Sequence, residues 1–272
     1  MYEKFYGFNV KPFSKTPDPS FLYMSKAHRE ALARLSYGVE EREVVVLTGE
    51  VGCGKTTLSR ALMDSLDDSY HIIALVAPIF DKGELLRLIA LRLGIENPST
   101  YRTELLEEIG TTLFDFYRRG KCPVFIIDEG QLIPGNEGFD ELRLLTNLQL
   151  DDANLFSLVL MGQPELRTRL MSGYFEPFRQ RIGIQYHLSP LDYDDTREYI
   201  KFRLDRAGRI APLFTEEAVE VLYRFSGGVP RKINNLASAA LLVGMGRELE
   251  RIDRDVIVDV ARDFDLISWK SH

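Results

Sequence analysis

Eight consecutive residues, Gly49-Glu50-Val51-Gly52-Cys53-Gly54-Lys55-Thr56, carry the spacing G-x-x-x-x-G-K-[ST]. An apolar run, Val44–Thr48, precedes them and a helical pattern comes after. Glycines let such a loop wrap its amides around a phosphate, and the helix N-terminus adds positive potential. Lys55 would reach the β- and γ-phosphates. The Thr56 hydroxyl would bind Mg2+, with Thr57 beside it in the nucleotide-binding set. Cys53 fills a variable position, and its thiol is incidental to this chemistry. Further on, Val124-Phe125-Ile126-Ile127 ends in Asp128-Glu129. Asp128 fits the acid that holds Mg2+ in a P-loop enzyme, and Glu129 fits a general base that orients water. Alone, an apolar run ending in two acids is a weak signal; downstream of the glycine loop it predicts hydrolysis.

A third apolar run, Phe156–Met161, stops at Gly162-Gln163-Pro164. In parallel α/β sheets the ligand lies at the carboxyl edge of the strands. That rule puts Gln163 on the edge that carries Lys55 and Asp128. Glutamine is a poor helix N-cap, and Pro164 suits the first position of a following helix. Gln163 therefore reads as a polar sensor of the γ-phosphate or of the attacking water. Arg179 and Arg181 lie just before the last apolar run. Either could be supplied to a neighbouring subunit's γ-phosphate, and either could equally be an ordinary surface arginine. Arg231 comes after Gly227-Gly228-Val229-Pro230 and opens a helix, where the macrodipole disfavours a cation. An anionic partner, such as a nucleotide phosphate, would account for it.

The elements that must position these residues alternate. Apolar runs at Val44–Thr48, Ile72–Val76, Val124–Ile127, Phe156–Met161 and Ile184–Leu188 are separated by helical patterns. Those patterns cover Lys55–Leu66, Glu84–Leu93, Glu104–Arg118 and Glu137–Leu150. Continuous apolar strands with helices between them predict an α/β fold with a parallel sheet. Ser25 would cap a helix reaching Val39. Residues 1–23 hold nine aromatics and prolines between Phe5 and Tyr23, Pro17 and Pro19 among them, at neither helical nor alternating spacing. An extended segment packed across the domain is expected there. After Pro190 only helical periods appear: Asp195–Ala207, Glu216–Phe225, Pro230–Met245 and Asp253–Phe264. The expected division is 1–190 for the nucleotide-binding α/β domain and 191–272 for a small helical lid.

The chain has 272 residues, 45% of them hydrophobic, with a formal net charge of −7. An acidic balance argues against a non-specific nucleic-acid coat. Two cysteines without paired spacing fit neither a disulfide framework nor a zinc site. No integral membrane segment and no signal-peptide core is read, so a cytoplasmic protein is expected. Association with the inner membrane would come through partners or a further C-terminal region.

Taken together the motifs resemble an AAA+ ATPase, and more narrowly the ExeA/GspA-type family of secretion and cell-envelope ATPases. The matching pieces are FYGFNVKPFSKTPDPSFLYMS, GEVGCGKTTL, FIIDEGQ, LVLMGQPEL, FRQRI and SGGVPRKINNLA, spread over essentially the whole chain. The N-terminal signature and GQPEL are the specific parts. The resemblance implies a five-stranded α/β core with a helical lid, ATP or ADP between them, and Mg2+. It implies Walker A at Gly49–Thr56, Walker B at Asp128 and Glu129, and sensor 1 at Gln163, on a strand between the two Walker strands. It also implies an arginine finger at Arg179 or Arg181, sensor 2 at Arg231, and adenine contact around Phe21–Tyr23. Secretion-type members often continue into a transmembrane segment and a peptidoglycan-binding domain; this sequence ends at His272 with neither.

Three functions compete. The first is an ATPase that self-associates into a ring or filament and drives a secretion or envelope machine. The second is a DNA-bound transposition regulator, because TniB- and TnsC-type ATPases share the core. For that reading Lys82, Arg87, Arg92, Arg118, Arg119 and Lys121 would line a DNA path; otherwise they are solvated helix faces. The third is a nucleotide-loaded switch with negligible turnover, against which Glu129 speaks.

Overall fold

In the computed structural model the described residues are 1–14, 21–76, 84–151 and 153–264. The chain folds as two compact units. One gathers residues 30–49 and 58–188; the other gathers residues 1–29, 50–57 and 189–272. The expected division at residue 190 is drawn in chain order, whereas this grouping is spatial.

The first unit is the sheet. Strands β1 (Val44–Gly49), β2 (Tyr70–Val76), β3 (Cys122–Asp128), β4 (Ser157–Gly162) and β5 (Ile182–Leu188) lie in the order β2-β3-β4-β1-β5. Every pairing is parallel. Strands β1, β3 and β4 are buried along their full length, which is why they read as unbroken apolar runs. Val46 is opposite Leu160, and Ile126 is opposite Val159. Helices α5 (Arg102–Arg118) and α7 (Pro164–Leu170) pack on these strands, α5 on β3 and α7 on β1 and β4. Helix α4 (Leu85–Arg92) packs against α5 and α6 (Glu137–Leu145). Its first turn is tied by Glu141 of α6, whose carboxylate accepts the Leu86 N–H at 3.1 Å. Burial pushes the Glu141 carboxyl above its ordinary value. A continuous helix to Leu150 was expected, but α6 ends at Leu145. There the Thr146 hydroxyl donates back to the Arg143 carbonyl at 2.8 Å, and Leu150 N–H turns onto Ala153 O at 2.8 Å. Side-chain bonding of this kind competes with helix propagation.

The second unit is helical. Helices α9 (Tyr193–Arg206), α10 (Glu216–Ser226), α11 (Pro230–Gly246) and α12 (Arg254–Asp263) enclose their own apolar core. Asp192, Thr215 and Asp253 cap α9, α10 and α12 with their side chains. The N-terminal residues join this unit. Tyr2, Tyr6, Phe8 and Phe13 are buried in it, as aromatics of that density require. The expected extended segment is corrected at its start: Tyr2–Tyr6 form a short helix, α1, ended by Gly7 at φ +74°. Tyr2 and Tyr6, four residues apart, share one helical face, and glycine closes the turn at little conformational cost. The chain beyond Pro12 is held by Arg203, which is 7% exposed. Its guanidinium donates to the carbonyls of Pro12, Ser14 and Phe21 and stacks on the Phe21 ring at 4.7 Å. Pro17 and Pro19 lie outside the described residues.

Candidate functional site

Strand β1 runs directly into the glycine loop, and α3 (Lys55–Ser65) leaves it. The loop lies in the helical unit, and its carbonyls are held. Lys55 Nζ donates to Glu50 O at 3.1 Å. The backbone N–H of Arg231, in the first turn of α11, donates to Gly52 O at 3.4 Å. His28 Nε2 lies 2.9 Å from Cys53 O. Gly52 and Gly54 have φ of +87° and +104°, conformations that favour glycine. A Cβ on Gly52 would meet Arg231 Cβ at 2.6 Å, and one on Gly54 would meet His28 Nε2 at 2.8 Å. Gly228 makes room in the same way for the Leu191 backbone. Lys55 is 6% exposed, whereas Thr56 and Arg231 lie at the surface. Cys53 is buried, and burial pushes its thiol up, away from the reactive thiolate.

Tyr23 packs on Tyr199 and Phe202 in the same unit and donates its hydroxyl to Asp195 at 3.1 Å. Burial, with Asp195 close by, pushes the Tyr23 phenol up to about 12, so it stays a donor. Phe21 lies under the Arg203 guanidinium.

The sheet unit carries the acidic pair. Asp128 is the last residue of β3 and is 4% exposed; its carboxylate accepts the Glu129 N–H at 2.8 Å. Glu129 stands in the left-handed region at φ 56°, an uncommon conformation for a residue with a Cβ. Two glutamines hold it. Gln131 Nε2 donates to Glu129 Oε2 at 2.5 Å, and Gln163 Nε2 donates to the same oxygen at 3.1 Å. Gln131 Oε1 in turn accepts the Gln163 N–H at 3.0 Å. Three side chains from the ends of two adjacent strands thus close one network. Gln163 occupies the N-cap position of α7 without capping through its side chain, which goes to Glu129 instead. Gly162 is small for a stated reason: a Cβ there would lie 2.8 Å from Gln131 Oε1 and 2.6 Å from Leu166 Cδ2. Gln131 was missed in the sequence, and its signal was position: two residues after Glu129, in a 3-10 turn that Gly130 starts.

Arg179 ends α8 (Glu176–Arg179), pairs with Glu176 at 3.7 Å and donates to Met171 O at 3.4 Å. Arg181 is exposed; its guanidinium donates to Gln149 Oε1 at 3.2 Å and Asn147 Oδ1 at 3.0 Å. Arg87, Arg92, Arg118, Arg119 and Lys121 are exposed on the sheet unit, and Lys82 lies outside the described residues. Among the described residues no helix is long and apolar enough to cross a membrane. No cluster of three His, Cys, Asp or Glu that could hold a metal occurs among them either.

Residues 39–170 match the family model described as an AAA domain. General secretion pathway protein A of Aeromonas hydrophila is 40% identical over 255 residues, which is 93% of this chain and 46% of that protein. The chain spans about half the length of the curated relatives it matches. Among solved structures, Cdc6p from Pyrobaculum aerophilum aligns over 91% of this chain and 71% of its own, with TM-score 0.65 and 16% identity. The Drosophila ORC bound to DNA aligns over 95% and 65%, with TM-score 0.66 and 14% identity. At those identities the structures speak for the fold alone. Residues 39–170 are thus similar to an AAA domain, the fold is one shared with those solved structures, and the chain is similar to general secretion pathway protein A.

Proposed function

We propose that the protein binds ATP with Mg2+ and hydrolyses it to drive assembly or remodelling of a secretion-type protein machine. The observation that carries turnover is the Glu129 network: a carboxylate at a strand end, oriented by two amides, is what a general base for water needs. The phosphate half is supported by the loop's own build. Its two left-handed glycines leave no room for a Cβ, Lys55 lies back across it, and hydroxyl and carboxylate oxygens at Thr56 and Asp128 are hard donors of the kind Mg2+ takes. When bound, Mg2+ would neutralise charge on the β- and γ-phosphates. The amides of residues 49–54 and the Lys55 ammonium would bind the polyphosphate, with Thr57 close behind in α3. Glu129 would orient and deprotonate water, and Gln163 would sense the γ-phosphate through the same network. Arg231 would meet a phosphate as sensor 2, and Phe21 and Tyr23 would border the adenine.

Assigning both halves to one reaction rests on chain order and the parallel sheet. Adjacent strands β3, β4 and β1 end at one edge, and lead into Glu129, Gln163 and the loop respectively.

Arg181 is the better finger of the two arginines, because Glu176 offsets the charge of Arg179, whereas Arg181 is oriented by neutral amides. A finger supplied in trans requires a ring or filament of copies. The similarity to general secretion pathway protein A supports a secretion partner over DNA, and action in the cytoplasm, at the inner membrane through partners, goes with that reading. The test mixes Arg181→Ala subunits with Glu129→Gln subunits. Recovered hydrolysis at mixed interfaces is expected; no recovery in a mixture shown to co-assemble would remove Arg181 as a trans finger.

A further inference from the structure

His28 is 4% exposed and lies between Ser25 and the phosphate loop, within the helical unit. A carbonyl only accepts, so the 2.9 Å contact between Nε2 and Cys53 O requires the proton on Nε2. Nδ1 is then the acceptor, and the Ser25 hydroxyl, 2.7 Å away, donates to it. The same hydroxyl oxygen accepts the His28 backbone N–H at 3.2 Å, so Ser25 both caps helix α2 (Lys26–Glu40) and selects the tautomer. Burial lowers the His28 pKa, in keeping with a neutral ring. The contact bears on the loop through its peptide geometry. In a trans peptide the C=O of one residue and the N–H of the next point opposite ways, and no cis bond occurs among the described residues. Holding Cys53 O therefore fixes the direction of the Gly54 N–H, the last amide before Lys55.

We infer that His28 is a positioning residue for the nucleotide: its Nε2–H, locked by Ser25, aims the Gly54 amide for phosphate binding. This rests on the nucleotide reading of the loop. The residue acts through the backbone and touches no substrate, so its signature is affinity, not turnover. Glutamine can place an amide N–H where Nε2–H stands, whereas asparagine is too short to reach Cys53 O.

The experiment measures the dissociation constant and the kcat for ATP in wild type, His28→Leu, His28→Gln and His28→Asn. The Leu and Asn forms are expected to bind ATP at least about tenfold more weakly, the scale of one lost hydrogen bond to a rigid acceptor. Their kcat at saturation should stay within about twofold, and the Gln form should recover affinity to within about threefold of wild type. Should the Leu form not fold, the Gln and Asn pair decides. Equal affinity of those two, or a loss confined to kcat, would overturn the inference. A wild type that binds no nucleotide would overturn the reading of the site and this inference with it. A wild type that binds ATP beside an unaffected Asn form would overturn this inference alone.

Discussion

The glycine loop and the Glu129 network are both held by hydrogen bonds, but by different kinds. The loop is gripped through main-chain carbonyls at residues 50, 52 and 53, so the grip itself reads no side chain at those positions. Only the glycines that make room, and the groups that do the gripping, are constrained. The network around Glu129 is made of side chains, and each of its members is needed by identity. A backbone cradle holds a ligand whose charge is fixed; a side-chain network can loosen when one amide finds another partner. Binding and turnover should therefore fail separately, and that separation can be attacked.

The largest effect is expected from Glu129→Gln. Removing a general base costs about 10² to 10⁴ in rate, while ATP affinity stays within a few-fold, as steady-state hydrolysis and nucleotide titration would report. An affinity loss matching the rate loss would dissolve the distinction between cradle and network. Next is Lys55→Ala, expected to weaken ATP binding by about a hundredfold, the scale of a lost hydrogen bond to a charged group. A fluorescent nucleotide titration measures it, and unchanged affinity would remove the loop from the site. Third, Gln131→Ala should lower kcat by about tenfold with affinity intact, because Glu129 and the Gln163 N–H each lose a partner. A change in affinity without a change in kcat would put Gln131 outside the network.

The smallest effect concerns pH. Burial leads the causes that lower the His28 pKa in the folded state, with the bonds and charges of Cys53 O and Asp195 opposing it. The unfolded chain then takes up a proton near the ordinary value of 6.5, before the folded chain does. Stability contributed by the neutral ring is thus full above that value and is lost as pH falls below it. Urea unfolding at about pH 7.5 and about pH 5.5 should show the decline, and His28→Gln should remove that part of it. An identical slope in the variant would assign the pH dependence to other groups.

Legibility in the sequence divides along the same line. The loop is legible because glycine spacing records a backbone shape, and the three central strands β3, β4 and β1 because burial on both faces leaves unbroken apolar runs. Strands β2 and β3 each begin two residues before their apolar runs, since Tyr70 and Cys122 already pair in register. The short helix α1 has too few residues to show a period, and α6 stops at a threonine that bonds to its own backbone. Gln163 stood out because a proline comes directly after a polar strand end. Gln131, His28 and Arg203 did not. Each is a single polar residue whose role depends on a partner far along the chain: 32 residues for Gln131 with Gln163, 25 for His28 with Cys53, and 191 for Arg203 with Pro12.

That last separation has a consequence for synthesis. The sheet unit draws no residue from beyond Leu188, so all its strands have been translated while the ribosome is still adding the helical unit. The helical unit is built from residues 1–29, 50–57 and 189–272. Pro12, Ser14 and Phe21 meet the guanidinium that secures them only once residue 203 has left the exit tunnel, and Gly52 meets its amide partner only at residue 231. The nascent chain thus completes its sheet before the grip on its glycine loop, so on the proposed reading it cannot hold ATP while only the sheet unit has emerged.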